Sequence, residues 1–163
     1  MTTRSPLEIS LSSQQSRIAV LGLGYVGLPL AVACANAGFS TVGIDINPKR
    51  VQSLRDGISG LPDLSNERLR DELQAGRLRV EHEMLALADV DAVLICVPTP
   101  LNKTKEPDLS YVVNALRSIR EHLHSPMLVV LESTTYPGFT REVALPLLEE
   151  SGLTCGKDFC LAF

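Results

Sequence analysis

Long uninterrupted apolar runs are missing from this sequence, so no segment reads as a membrane span. An excess of basic residues is missing too. The formal net charge of -4 offers no electrostatic footprint for nucleic acid. The first sixteen residues, MTTRSPLEISLSSQQS, lack the apolar centre of a secretory signal. Being polar and rich in hydroxyls, residues 1–16 are expected to form a disordered or loosely attached leader ahead of one domain over residues 17–163. There is no internal repeat and no low-complexity block. The four cysteines, Cys34, Cys96, Cys155 and Cys160, have neither disulfide nor zinc spacing. Cys34 lies among small apolar residues and Cys96 closes an apolar run, which reads as two core thiols rather than ligands. Unpaired thiols point to a cytoplasmic protein. His122 and His124 are two residues apart, which does not suit one helical face, and His82 is expected to face solvent. No metal site is expected. With 45% hydrophobic residues in 163, one soluble globular domain with a sizeable core is within reach.

What is present is concentrated between Arg17 and Asp45. Ile18 to Leu21 form a continuous apolar run, as in a strand buried on both faces of a parallel sheet. Gly22, Gly24 and Gly27 then spell G-x-G-x-x-G. An apolar segment from Leu28 to Ala37 follows, with Pro29 near its start and Gly38 as its stop, the pattern of a helix. Thr41 to Ile44 reads as a second strand and ends on Asp45. Gly22 allows the tight turn, Gly24 lets a pyrophosphate approach the backbone, and Gly27 lets the helix pack closely on the sheet. Free N–H groups and the positive end of the helix dipole suit a diphosphate. Asp45, about twenty residues beyond the glycines, stands where a carboxylate accepts ribose hydroxyls. A carboxylate there favours NAD over NADP, whereas the nearby Arg50 would suit a 2′-phosphate.

Further along, Asn47 is placed to cap a helix with Pro48 at its first position, ending at Asp56-Gly57. Leu61 to Leu64 reads as a loop. Ser65 to Ala75 reads as a helix capped by Ser65 and stopped at Gly76, without a capping box because Arg68 stands where Glu would. Leu78 and Val80 mark a third strand, and His82 to Ala88 a short helix. Asp91 to Val97 is a buried strand broken by Pro98-Thr99-Pro100. Asn102 to Asp108 is a polar surface loop and a candidate lid. Helical spacing returns over Ser110 to His122. Met127 to Leu131 is a fifth strand, and Phe139 to Glu150 a helix that Pro146 should kink or end early. Phe159 to Phe163 opens a sixth strand, and an end inside a strand suggests part of a longer protein. Alternation of strands and helices predicts an α/β, Rossmann-like doubly wound parallel sheet in three α/β/α layers.

In such sheets ligands bind beyond the carboxyl ends of the strands. Gly22 to Gly27, Pro98-Thr99-Pro100 and Ser133 to Gly138 fall there. Thr99, held between prolines, either donates to a phosphate or ribose oxygen or simply marks a sharp strand exit. Thr134 and Thr135 either meet a ligand or cap the next helix. Glu132 either reaches solvent in the cleft or accepts backbone N–H bonds, since burying it unpaired is costly.

Together, GLGYVGLPLA (Gly22 to Ala31), DINPKR (Asp45 to Arg50), ICVPTP (Ile95 to Pro100) and LESTTYPG (Leu131 to Gly138) resemble the N-terminal domain of the UDP-glucose/GDP-mannose dehydrogenase family. The ESTTYPG wording is more similar to members acting on UDP-N-acetylhexosamines. The resemblance implies an NAD-dependent oxidoreductase that oxidises the C6 alcohol of a nucleotide sugar to a carboxylate with two NAD, for surface polysaccharide precursors. It implies cofactor contacts at Gly22, Gly24, Tyr25, Val26, Gly27, Asp45, Arg50, Val97, Thr99, Glu132 and Thr134. Thr134 also matches a threonine that positions a catalytic water. The family's catalytic cysteine, lysine and glutamate match nothing in this chain, nor do its central helix and C-terminal sugar-binding domain. The chain is therefore expected to bind NAD without turnover, inside a full-length homo-oligomer. The rival readings are a 6-phosphogluconate or β-hydroxyacid-type dehydrogenase cofactor domain, which would not be expected to carry VPTP followed by ESTTYPG, and a stand-alone nucleotide-sensing module.

Overall fold

Six short runs of Val, Ile, Leu and Ala meet side by side in a single parallel sheet. A computed structural model describes residues 12–101 and 107–163. In chain order, β1 is Arg17–Leu21, α1 Gly27–Asn36, β2 Ser40–Ile44, α2 Pro48–Arg55, α3 Asn66–Gln74 and β3 Leu78–Glu81. A 3-10 helix (Met84–Asp89), β4 (Ala92–Ile95), α4 (Ser110–His122) and β5 (Met127–Leu131) follow. A π-helical stretch (Thr140–Ala144) then runs into α5 (Leu145–Glu149), before β6 (Phe159–Ala162). The sheet order is β3-β2-β1-β4-β5-β6, all parallel. The order reverses between β1 and β4, and a crevice opens at the carboxyl ends of the two strands.

Two apolar layers cover the sheet. On one face α1, α2 and α3 pack around Val20, Leu23, Leu28, Val51, Leu54 and Leu69. On the other, α4, the 3-10 helix and α5 enclose Leu21, Val93, Leu116, Ile119, Val129 and Phe139. Each fully buried aliphatic side chain of this kind contributes about 1.5–3 kcal/mol. The interior of α1 is built from Gly27, Leu28, Ala31, Val32 and Ala35, and the small ones let its axis approach β1 and β2.

The local signals act where the sequence places them. The Asn47 side chain accepts from the amides of Lys49 (3.0 Å) and Arg50 (3.4 Å), and Ser65 from that of Arg68 (3.3 Å). Three elements differ from expectation. The strand expected over Asp91 to Val97 is regular only from Ala92 to Ile95; the Cys96 amide still donates to the Leu21 carbonyl at 2.8 Å, and two residues later Pro98 has no N–H with which to continue the ladder. The short helix expected over His82 to Ala88 starts two residues later and is 3-10. Pro146 does not end its helix, which continues to Glu149. It sits in the first turn of α5, and the wide π turn before it accommodates a residue that lacks an N–H and crowds the carbonyl four positions back.

The loop expected over Asn102 to Asp108 lies outside the described residues except for Pro107 and Asp108, as do residues 1–11 of the leader. Within residues 12–16, Ser16 is buried, and the carboxamide of Gln14 lies against Gly38.

Candidate functional site

The turn after β1 is pinned from three sides by Leu23. Its side chain is fully buried over Gly43, where a Cβ would come within 2.7 Å of Leu23 Cδ2. Its amide donates to Asp45 Oδ2 at 2.9 Å, and its carbonyl accepts from Arg50 Nε at 3.0 Å. Gly22, at φ +88°, turns the chain out of β1, and its amide donates to the Ile44 carbonyl at 2.8 Å. Leu23 was missed in the sequence because an apolar residue between two glycines looks like filler.

The glycines differ in what a side chain would meet. A Cβ on Gly27 would fall 1.8 Å from the Gly22 carbonyl oxygen and 2.9 Å from Cys96 Cβ. Gly27 is therefore the contact that seats α1 against the turn. Around Gly24 nothing stands within 4 Å. That open face adjoins the amides of Gly24, Tyr25 and Val26, which donate to no acceptor among the described residues. Free backbone N–H groups at a helix start, with empty space before them, form a cradle for a phosphate.

This cradle opens into a cleft of about 590 Å³ between the carboxyl ends of β1, β2, β4 and β5. Gly22, Gly24, Tyr25, Val26, Asp45, Val97, Thr99, Glu132 and Thr134 all line it. Gly27 and Arg50 do not. Gly27 works from behind by packing. The Arg50 guanidinium is turned beneath the turn, with Nε on Leu23 and Nη1 on the Ser59 carbonyl at 2.6 Å. Nη2 is buried without a partner among the described residues. Burial pulls the Arg50 pKa down, opposed by the Asp45 charge. A guanidinium so engaged is a strut between two loops.

Asp45 is half-buried, with Oδ2 on the Leu23 amide and Oδ1 on the Asn47 amide at 2.9 Å. A carboxylate has about four acceptor sites, so both oxygens can still accept a hydroxyl. His82 is exposed, as expected, and its Nδ1 lies 3.0 Å from the Asp45 carbonyl. The Tyr25 hydroxyl donates to Asp63 at 2.7 Å, and this bond holds the Tyr25 pKa above its usual value.

At the other end of the cleft, Ser133 joins β5 to β4. Its hydroxyl donates to the Val97 carbonyl at 2.8 Å and to the Ile95 carbonyl at 3.1 Å, and its amide also meets Ile95. This buried pairing fixes where Val97, Thr99, Glu132 and Thr134 stand. The Glu132 side chain is exposed to the cleft, the first of the two alternatives above. Of the cysteines, only Cys96 lines the cleft, and burial pushes its thiol up to about 12, with the nearby Glu132 charge adding to the shift. Burial thus favours the protonated thiol, the opposite of the lowered pKa that activates a cysteine nucleophile. Cys34 is half-buried rather than fully buried, and burial raises its pKa too. No metal-ligating cluster occurs among the described residues. No described helix is long and apolar enough to cross a membrane.

Sequence reading missed the outer wall, made by Ile46, Met84 and the α4 residues Tyr111, Asn114 and Ser118. The α4 residues share a face at i, i+3 and i+7, opposite Val112, Leu116 and Ile119. That spacing was visible, but not that the polar face meets a cleft.

Comparison with known proteins agrees with this geometry. Residues 16–163 match the UDP-glucose/GDP-mannose dehydrogenase family, NAD binding domain. The chain is 39% identical over 148 residues to the UDP-N-acetyl-D-mannosamine dehydrogenase of Pyrococcus horikoshii, covering 90% of this chain and 35% of that protein. It is 38% identical over 149 residues to the UDP-N-acetyl-D-glucosamine 6-dehydrogenase of Salmonella typhi, covering 90% and 34%. The crystal structure of a ternary complex of GDP-mannose dehydrogenase from Pseudomonas aeruginosa superposes with a TM-score of 0.84 at 33% identity, covering 89% and 35%. The chain thus spans about a third of the length of these relatives. It belongs to the UDP-glucose/GDP-mannose dehydrogenase family and spans that family's NAD-binding domain.

Proposed function

We propose that this domain is the cofactor half of an NAD-dependent nucleotide-sugar 6-dehydrogenase that makes a sugar carboxylate for surface polysaccharide. The observation that carries the reading is the open face at Gly24, in one cleft with the Asp45 carboxylate at one end and Thr99, Glu132 and Thr134 at the other. The cradle fits the diphosphate of NAD, and Asp45 fits two ribose hydroxyls. When bound, NAD supplies the acceptor for hydride from the sugar C6 alcohol.

The chain's own residues bind and orient. The Gly24, Tyr25 and Val26 amides hold the diphosphate, and Val97 packs beside it. Arg50 acts through the Leu23 carbonyl and keeps the turn in register with Asp45. The Thr99 hydroxyl steadies the nicotinamide end, and Thr134, with Glu132 beside it, orients a water near the reacting carbon. The UDP-N-acetylhexosamines are the proposed substrates, supported by the names of the relatives and by the ESTTYPG wording. The cytoplasm, where nucleotide sugars and unpaired thiols occur together, is the proposed compartment. The proposed assembly of the whole enzyme is a homo-oligomer.

A double oxidation needs an activated thiolate beside the cofactor. Cys96, the cysteine in the cleft, is held protonated. The covalent steps therefore fall to residues outside this domain. The test mixes the chain with NAD and, in turn, UDP-N-acetylglucosamine, UDP-N-acetylmannosamine, UDP-glucose and GDP-mannose. NAD should bind, and no NADH should form. Turnover that disappears on replacing one of the four cysteines would overturn the reading.

A further inference from the structure

The connection between α2 and α3, residues 56–65, reaches the glycine turn on both sides of Gly24. On one side the Arg50 guanidinium joins the Ser59 carbonyl (2.6 Å) to the Leu23 carbonyl (3.0 Å). On the other the Tyr25 hydroxyl donates to Asp63 Oδ2 at 2.7 Å, across 38 residues of sequence. The residue between these two ties has no side chain, and nothing stands within 4 Å of where its Cβ would be. Left to itself, such a position has the widest choice of backbone angles in the turn.

The connection is built as an anchor. Ser59 is buried, its hydroxyl donates to the Leu64 carbonyl at 2.5 Å and accepts from the Leu61 amide at 3.0 Å, and its own amide donates to Asn66 Oδ1 at 2.8 Å. Leu61 and Leu64 pair as an isolated antiparallel bridge, and Leu64 is buried in the apolar layer that holds α1. Asp63 stands exposed on this turn, and its carboxylate meets no other donor among the described residues. Tyr25 is 66% exposed, so little packing fixes its ring, and the bond to Asp63 is what holds it. Exposed side chains without such a bond change rotamer within nanoseconds. A carboxylate one tyrosine length from a phosphate cradle repels the phosphate only weakly through solvent.

We propose that Asp63 is a positioning residue for cofactor binding: through the Tyr25 hydroxyl it fixes the Tyr25 side chain and peptide, and with Arg50 on the other side of Gly24 it pre-sets the amides of Gly24, Tyr25 and Val26 for a diphosphate. The proposal rests on the NAD reading of the cleft. Asp63 is not among the residues that line the cleft, so it acts through Tyr25 and not by touching the cofactor. Its effect is to order the cradle before the ligand arrives, which lowers the ordering cost of binding.

The test is calorimetric titration of NAD into the parent chain, Asp63→Ala, Asp63→Asn, Tyr25→Phe and the variant carrying both Tyr25→Phe and Asp63→Ala. Asp63→Ala and Tyr25→Phe should each lose about tenfold in NAD affinity, and the double variant no more than either alone. Asp63→Asn keeps an acceptor for the hydroxyl and should return to within about threefold of the parent. Melting temperatures should stay within about 2 °C of the parent's, because both groups are exposed. Tyrosinate absorbance, compared with and without the Tyr25 hydroxyl, gives a readout that needs no ligand. Asp63 holds the Tyr25 pKa above its usual value, so Asp63→Ala should move that titration to lower pH. Equal NAD affinity in the parent and Asp63→Ala would overturn the proposal, as would additive losses in the double variant. Asp63→Asn as weak as Asp63→Ala, or a loss of affinity matched by a fall in melting temperature, would overturn it too. Should the parent chain bind no NAD, the NAD reading itself falls, a result visible before any variant is made.

Discussion

Gly24 and Gly27 stand three residues apart in one motif, and replacing them should cause opposite failures. A Cβ at Gly27 would lie 1.8 Å from the Gly22 carbonyl oxygen, a backbone atom that can move only if α1 or the turn moves with it. Gly27→Ala should therefore cost about 3 kcal/mol, the upper end for inserting a methyl into a packed site, and lower the melting temperature by roughly 6–12 °C for a domain of this size. A side chain at Gly24 meets nothing within 4 Å in the protein. Gly24→Val should change stability by no more than about 0.5 kcal/mol, as for other surface positions. It fills the space before the free amides, however, and should weaken NAD by at least about 100-fold, or about 2.7 kcal/mol. Scanning calorimetry and NAD titration on both variants separate the two effects. A Gly24→Val domain that is folded and binds NAD like the parent would refute the placement of the diphosphate. A Gly27→Ala domain as stable as the parent would refute the packing argument.

Three further outcomes follow from the same geometry. Ser133→Ala removes the hydroxyl that holds Val97 and should cost about 1 kcal/mol of stability, measured by urea titration, with a loss of NAD affinity besides. The raised Cys96 pKa gives a pH dependence of definite sign. The folded state keeps the proton that the unfolded chain releases above about 8.5, so this contribution is intact below that pH and is lost as the pH rises toward 12. Cys96→Ala should flatten the fall in melting temperature between about pH 9 and 11, whatever its effect at neutral pH. Native alkylation with iodoacetamide, read by mass spectrometry, should label exposed Cys160 first and buried Cys96 only after unfolding.

Much of the fold was legible because periodicity and punctuation agreed: apolar runs for the strands, Asn47 and Ser65 as caps, Gly22 and Gly38 as turns. Where they competed, the reading slipped. Pro146 was expected to kink its helix or end it early, but it stands in the first turn of a helical segment that follows a π turn, where a missing N–H costs little. The cleft was legible where chemistry is carried by rare residue types in fixed order, as at Gly22, Asp45 and Thr99. Arg50 shows the limit. Its spacing from Asp45 places it near a ribose, but whether a long flexible side chain turns toward the cleft or beneath the turn is decided by carbonyls at Leu23 and Ser59, which no pattern reveals. Leu23 and Ser133 lay within the stretches singled out, but their bonds to Asp45, Arg50, Ile95 and Val97 were invisible for a related reason. Each matters through what tertiary structure brings to it, not through its own rarity.

The most direct test of the central claim is the titration of the chain with NAD and with NADP, repeated on Asp45→Ala. The Asp45 carboxylate welcomes two hydroxyls and opposes a 2′-phosphate, and the Arg50 guanidinium is held away from the cleft by two carbonyls. NAD should bind at least about tenfold tighter than NADP, and Asp45→Ala should narrow that gap while weakening NAD. Equal or tighter binding of NADP by the parent chain would contradict the account.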